Sequence, residues 1–343
     1  MSFIEATRQN IRPLTTMSYE SGIEKSYDIS RVGFLSKVTL RFKGKLTAKH
    51  ASKTTFAKAE GAPYNLANRI KLVLNNGVSV WDASGVGTYW QNILTRCNYR
   101  MDEEIAGSKV FAFGNKVSAS GAENDIQFSL DLNVSINDLD LVGLLLLQSS
   151  QVVASVKIDS AAPGVLATDT DIEFSLTGNW YISVEYFDVP SNDADWPNLA
   201  TVHQVLENQD PITSTGANRF TIPRGNIYMR LINGILLNGA YNDEDIEKLT
   251  IKYNLSNEPY NIDADDMLAL QRNRYGRDMP KGVFVWDFYY QGHPNMGSHR
   301  DFVYSGNITE FDQYIHIANS ASLGSNNNKL ITVREMLVDV RPA

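Results

Sequence analysis

Cysteine is nearly absent. Cys97 is the only one in 343 residues, so no intrachain disulfide can staple the fold, and a reducing compartment during folding is the natural expectation. A membrane-length apolar run is missing too. The apolar stretch "LVGLLLLQSSQVVASV" (141–156) carries no charge but is interrupted by Gln148, Ser149, Ser150 and Gln151; it is too short and too polar to span a bilayer and reads as two buried strands around a turn. "MSFIEATRQNIRPL" has no continuous apolar centre of the kind a secretory signal carries. The five histidines, His50, His203, His293, His299 and His316, make no i, i+4 pair that would put two metal ligands on one helix face. His293 and His299 share a Gly/Asn/Pro segment that reads as an exposed loop. Gly85-Val-Gly87 lacks the third glycine and the α/β context of a dinucleotide loop, and neither a phosphate loop nor a nucleophile elbow occurs. No catalytic, cofactor-binding or metal site is expected.

Charge is unevenly spread. The net charge is −8, yet residues 1–58 hold 11 Lys+Arg against 4 Asp+Glu, and the remainder holds 20 against 35. The acidic body argues against general nucleic-acid binding. The basic first sixth has two readings: it meets an anionic surface such as lipid headgroups, or Lys43, Lys45 and Lys49 keep a strand edge soluble. Two acidic clusters, "NDEDIEK" (242–248) and "DADD" (263–266), read as a solvated turn and as the start of a helix, where carboxylates complement the dipole. Asn133, Asn254 and Asn307 open glycosylation-type triplets that arise readily by chance.

What the chain has in abundance is alternation. Segments 37–44, 69–76, 125–136, 171–189, 247–255, 282–290, 311–318 and 330–340 place apolar residues at every second position, the period of a half-buried strand, with turn signals between them. Helical periodicity appears twice, at 84–96 (Trp90, Ile93 and Leu94 on one face) and at 263–276 (Met267, Leu268 and Leu270), each after a strand pair. Asp263 or Asp265 is the expected N-cap of the second helix and Gly276 its stop.

These features recur in order. "ISRVGFLSKV" (29–38) and "IPRGNIYMRL" (222–231) read as the same strand with arginine near its start, Arg31 and Arg224. A helix follows a strand pair in each half, and "VEYFDVP" (184–190) and "EMLVDVRP" (335–342) close on Asp-Val and proline. Matching Arg31 to Asp82 and Arg224 to Asp263 leaves about twelve extra residues in the first half, assigned to a polar surface loop at 48–59. The expectation is an internal duplication: an all-β chain of two tandem eight-stranded jelly-roll β-sandwiches with a few short helices. Its parts would be an N-terminal arm (1–15), a first roll (16–190), a linker (191–202) with Trp196 pinned in the groove between the rolls, and a second roll (203–343).

On "IRPLTTMSYESGIEKSYDISRVGFLSKVTLRFKGKL" (11–46), "YNLANRIKLVLNNGVSVWDASGVGTYW" (64–90), "VGLLLLQSSQVVASVKI" (142–158), "KGVFVWDFYY" (281–290) and "NKLITVREMLVDVRP" (328–342), the chain resembles the double jelly-roll major capsid proteins of icosahedral viruses with an internal membrane, of the tectivirus type infecting bacteria. The likeness covers nearly the whole chain but rests on layout, since each motif is mostly hydrophobic pattern. The resemblance implies a homotrimer that approximates a hexagon and tiles a shell, assembled in the host cytoplasm and located in the virion. Implied partners are neighbouring capsomers, minor capsid and vertex proteins, and the internal lipid membrane, without sequence-specific nucleic-acid binding or cofactors. It also implies a membrane-proximal N-terminal arm, for which Phe3, Ile4 and Ile11 would form one apolar face and Arg8 and Arg12 would meet phosphate. Loops 98–124 and 291–309 would form an exposed crown.

The alternative is a two-domain jelly-roll glycan-binding protein or glycan hydrolase, which would need exposed tryptophans side by side on a sheet or two carboxylates across a cleft. Trp81, Trp90, Trp180, Trp196 and Trp286 fall in expected strands, helix or linker, so most read as core.

Overall fold

The computed structural model describes residues 3–29, 33–75, 77–95, 110–136, 142–147, 153–192, 195–197, 199–254, 257–288, 302–324 and 327–339; Arg31, Cys97, His293 and His299 lie outside them. Of these, 3–93 and 110–203 form one compact unit, and 204–339 with 94 and 95 form a second.

The first unit opens with a short helix α1 (Phe3–Ala6), then strands β1 (Gln9–Ser18), β2 (Glu24–Ile29), β3 (Gly33–Lys49), β4 (Ala67–Leu74) and β5 (Val78–Ala83). Helix α2 (Gly85–Thr95) follows, then β6 (Ala112–Phe113), β7 (Ala122–Asn133), β8 (Leu145–Leu147), β9 (Ala154–Ser160) and β10 (Glu173–Phe187). One sheet has the order β1-β10-β3-β7, with β6 beside β7 and β8 on β3; the other runs β5-β4-β9-β2, and every pairing is antiparallel. Counting the eight principal strands in chain order, the sheets read 1-8-3-6 and 2-7-4-5, the wiring of a jelly roll.

The second unit repeats it. Its elements are β11 (Thr201–Pro211), β12 (Gly216–Thr221), β13 (Ile227–Leu237), β14 (Ala240–Tyr241), β15 (Ile246–Tyr253), β16 (Asn257–Asp263), helix α3 (Ala264–Tyr275), β17 (Val283–Asp287), β18 (Val303–Tyr304), β19 (Phe311–Ile317) and β20 (Lys329–Asp339). Here β11-β20-β13 continues to β17 and β18, both on β13, and the second sheet runs β12-β19-β15-β16. With the two-residue strands β14 and β18 set aside, the order is again 1-8-3-6 and 2-7-4-5, and in both units the helix joins strands five and six.

The alternation in sequence is the cause. In β3, Val38, Leu40, Phe42, Leu46 and Ala48 are fully buried while the lysines and arginine between them face outward, and each large apolar side chain taken from water contributes about 1.5–3 kcal/mol. In the second roll Leu231, Ile235, Phe284, Trp286 and Leu330 from one sheet share a core with Leu249, Ile251, Phe311 and Ile315 from the other. Helix α2 is capped by Ser84, just before it, whose Oγ accepts the Gly87 N–H at 3.0 Å. Gly85 is there for contact: a Cβ would sit 2.1 Å from the Tyr64 carbonyl oxygen. In α3, Asp263 takes the N-cap position with extended backbone but without a side-chain capping bond, and Gly276, left-handed at φ 66°, ends the helix.

Three expectations need correction. The repeated segment is no single strand: Ile29 ends β2 and Gly33 begins β3, while Ile222 follows β12 and Ile227 begins β13. The echo marks the corner where the chain passes from one sheet to the other, at the same place in each roll. The extra residues at 48–59 are only partly a polar loop, since β3 runs to Lys49 and Phe56 is buried against Phe113 and Phe174, ring centroids 6.2 and 5.2 Å away. A helical face through Ile11 does not form, because the helix ends at Ala6 and Gln9 already pairs with Phe187 on β10.

Candidate functional site

The N-terminal residues separate into an anchor and an exposed stretch. Phe3 packs edge-on against Phe34 and Phe187, both centroids 5.4 Å away, and Phe34 in turn meets Trp196 at 5.7 Å. Trp196 also donates its indole N–H to the Pro190 carbonyl at 3.4 Å. Ile4 belongs to the same short helix. Arg8, Ile11 and Arg12 lie further on; Arg8 and Arg12 are exposed without an acidic partner among the described residues, and Ile11 is 73% exposed, the most exposed large apolar side chain described. The structure thus brings Arg8, Ile11 and Arg12 onto one solvent-facing stretch and puts Phe3 elsewhere.

Five of the eleven cations in the basic first sixth, Lys37, Arg41, Lys43, Lys45 and Lys49, lie on β3, which is no edge, since β10 and β7 flank it on both sides. Its cations meet acids on those neighbours: Lys37 pairs with Glu185, Lys45 with Asp125 at 2.8 Å and Lys49 with Glu173 at 4.0 Å. Arg41 lies 5.0 Å above the Tyr181 ring. Three of those five β3 cations are thus paired within the sheet by carboxylates from later strands. Such exposed pairs are worth little individually and are screened by salt.

In the second roll β13, β17, β20 and α3 converge on a buried ionic cluster that sequence reasoning missed. Arg230 Nε lies 3.2 Å from Asp287 Oδ2, and its Nη1 donates to Glu335 Oε2 at 2.9 Å; the three side chains are 7%, 1% and 2% exposed. Tyr275 donates its hydroxyl to the same Asp287 oxygen. Burial alone would lower the Arg230 pKa, but Asp287 and Glu335 outweigh it and hold the guanidinium well above its ordinary value. Burial, reinforced by Asp287, pushes the Tyr275 phenol well up. The local sign was the arginine in the apolar "IYMRLINGILL", but its partners lie 57 and 105 residues away in sequence.

The other candidates resolve into local structure. Within 242–248, the Asn242 side chain donates to the Asp245 carboxylate and accepts the Asp245 backbone N–H, both at 2.9 Å, and Glu244 reaches Lys281. His50 sits 3.3 Å from Asp171, beside Lys53, which holds Asp169 and Asp171 at 2.7 and 2.6 Å. His203 is buried and His316 half-buried. Among the described residues no group of three His, Cys, Asp or Glu side chains could hold a metal ion, and no helix is long and apolar enough to cross a membrane. Trp81, Trp90, Trp180 and Trp286 are buried and Trp196 half-buried, so no pair of exposed tryptophans offers a sugar platform. Of the two expected crown loops, 98–109 and 291–301 fall outside the described residues. The remainder is pinned: Lys116 and Ser118 bridge to Thr55 and Lys49, and β18 pairs with β13.

No family model matches the chain, and no curated protein matches it. Solved structures do. The chain is similar to the major capsid protein of Sulfolobus turreted icosahedral virus (TM-score 0.73, 14% identity, 97% of each chain covered). It is similar to the capsid protein of PBCV-1 virus (TM-score 0.63, 14% identity, 96% of this chain and 94% of that one). It is also similar to the major capsid protein P2 of bacteriophage PM2 (TM-score 0.54, 11% identity, 96% and 97%). With both sheets of both rolls wired alike and coverage end to end, the chain has the double jelly-roll fold of viral major capsid proteins.

Proposed function

We propose that this chain is the major capsid protein of an icosahedral virus, with a structural rather than catalytic role, and that three copies form a pseudo-hexagonal capsomer in the shell of the virion. The observation that carries this reading is the duplicated wiring: two rolls of one strand order give six like blocks from three chains, and a threefold assembly of them approximates sixfold symmetry. The finer expectations belong to the same proposal. These are contacts with neighbouring capsomers and with minor capsid and vertex proteins, assembly in the host cytoplasm, a tectivirus-like bacterial virus with an internal membrane, and a linker at 191–202 between rolls.

Within that proposal, the stretch carrying Arg8, Ile11 and Arg12 faces the membrane while Phe3 keeps α1 on the first roll. Two cations beside one exposed aliphatic side chain suit an anionic lipid surface, where each basic residue contributes about 1 kcal/mol. Purified protein examined by light scattering and negative-stain microscopy should give hexagonal-looking particles of about 115 kDa, three times 38.3 kDa. Stable monomers would overturn the reading. Arg8→Glu with Arg12→Glu should leave those particles intact and abolish co-sedimentation with anionic vesicles; unchanged sedimentation removes the membrane role.

A further inference from the structure

The two rolls treat the same sheet face differently. In the second roll the outward side of strand three and its neighbours is closed. Ile232 on β13, Val333 opposite it on β20 and Val285 opposite it on β17 alternate with the core residues of their strands and point away from that core, yet they are 0%, 0% and 1% exposed. In the first roll the corresponding side, that of β3 between β10 and β7, is open. Arg41 and Lys43 lie exposed there, opposite Tyr181 and Asn179 of β10. Unlike Lys37, Lys45 and Lys49 on the same face, these two have no carboxylate partner among the described residues.

The second roll carries the opposite charge, also unpaired. Asp265 and Asp266, in the first turn of α3, are exposed and have no cationic partner among the described residues. Arg219, Lys252, Arg272 and Lys281 of that roll are each already paired with another acid. Helix α2, at the same place in the first roll, has no acid in its first turn and is almost wholly buried. A helix dipole favours carboxylates at any helix start, so it does not by itself account for their presence on α3 and their absence from α2.

In a ring of three two-roll chains, first and second rolls alternate. Every contact between copies then joins the second roll of one chain to the first roll of the next, and like blocks in such a ring present like faces to their neighbours. The face that is already closed in the second roll is the one left open in the first. We propose that the outward face of β3 is where the neighbouring copy docks, its α3 bringing Asp265 and Asp266 against Arg41 and Lys43. The inference rests on the capsomer reading above and adds which surfaces meet. Complementary charge of this kind fixes the register of a contact and excludes wrong pairings, since like charges brought together are strongly unfavourable.

The test is sedimentation velocity of the full-length protein over a dilution series. Arg41→Glu with Lys43→Glu sets like charges against each other at every contact and should raise the apparent dissociation constant of the trimer at least about tenfold. Asp265→Lys with Asp266→Lys should do the same. All four reversals in one chain restore the attraction with its sign exchanged, and should bring the constant back to within about threefold of the parent's. The four positions are exposed, so circular dichroism should show every variant folded. Parent trimers whose constant is unchanged by either pair of reversals, or a fourfold variant as weak as the pairs, would overturn this docking surface and leave the capsomer reading standing. Weakening on reversal of Arg41 and Lys43 but not of Asp265 and Asp266 would place another acidic surface on β3 and likewise overturn it. A parent that stays monomeric overturns both readings.

Discussion

Replacing Arg230 with methionine removes the guanidinium from a buried site that keeps two carboxylates. Asp287 and Glu335 are 1% and 2% exposed at the side chain, and the guanidinium reaches them at 3.2 and 2.9 Å. Methionine fills much of the volume, so the loss is electrostatic. Breaking a buried ion pair from one side costs about 3–5 kcal/mol, because the orphaned charge stays desolvated. At roughly 4 °C per kcal/mol for a domain of this size, the second roll's transition should fall by roughly 12–20 °C in scanning calorimetry at neutral pH. Adding Asp287→Asn and Glu335→Gln to Arg230→Met removes every charge from the cluster and should recover part of the loss. A drop below about 4 °C, or a triple variant no more stable than the single one, would refute the reasoning that the penalty lies in uncompensated burial.

Two further predictions concern the same scaffold. Asn92→Leu strips both the N–H and the C=O of Asp131 of their side-chain partner and should cost about 2–4 kcal/mol in denaturant unfolding, whereas Gln271→Leu frees only the Val285 N–H and should cost about 1–2 kcal/mol; the reverse ranking would count against this hydrogen-bond accounting. Burial, and next to it the charge of Lys248, holds the His316 pKa below its ordinary 6.5. The unfolded chain therefore takes up the proton first, and stability falls as pH drops through 6.5 toward the folded value. His316→Asn should flatten the change in unfolding midpoint between about pH 7 and pH 5, and an unchanged slope would exclude His316 as its source.

How far the fold was legible depended on burial. Each of the eight alternating segments overlaps a strand, since a strand with one wet face writes its period into the sequence. β1 did not announce itself: of "QNIRPLTTMS" only Met17 is buried, so its first part, Gln9–Thr15, read as an arm although the strand pairs with β10 from Gln9 to Ser18. β11 begins inside the stretch assigned to the linker, because Thr201 and Val202 carry no turn signal to separate them from it. The cations of β3 were visible, yet whether that strand was an edge depended on β7 and β10, a fact of pairing that composition does not hold. Arg230 was legible as an oddity and illegible as a cluster, because strand order alone brings Asp287 and Glu335 to it.

The two helices show most clearly what periodicity passes over. Each lies between strands five and six of its roll, and among the described residues strand six borders its sheet: there β17 pairs with β13, and β6 covers β7 at Ile126 and Gln127, short of Asp131. An uncovered border strand exposes backbone N–H and C=O groups. In the first roll Asn92 of α2 accepts the Asp131 N–H at 2.8 Å and donates to its carbonyl at 2.7 Å, taking the place of a neighbouring strand for one residue. In the second roll Gln271 of α3 accepts the Val285 N–H at 2.7 Å. The helices otherwise differ: α2 is apolar and almost wholly buried, while α3 is polar and half-exposed. A hydrophobicity pattern therefore scores Asn92 and Gln271 as surface residues. Yet each is fully buried or nearly so, at 0% and 2% exposed, and each closes the border of its sheet at the corresponding place. What the two rolls share beyond strand order is thus a polar device, a helix amide that completes the hydrogen bonding of strand six.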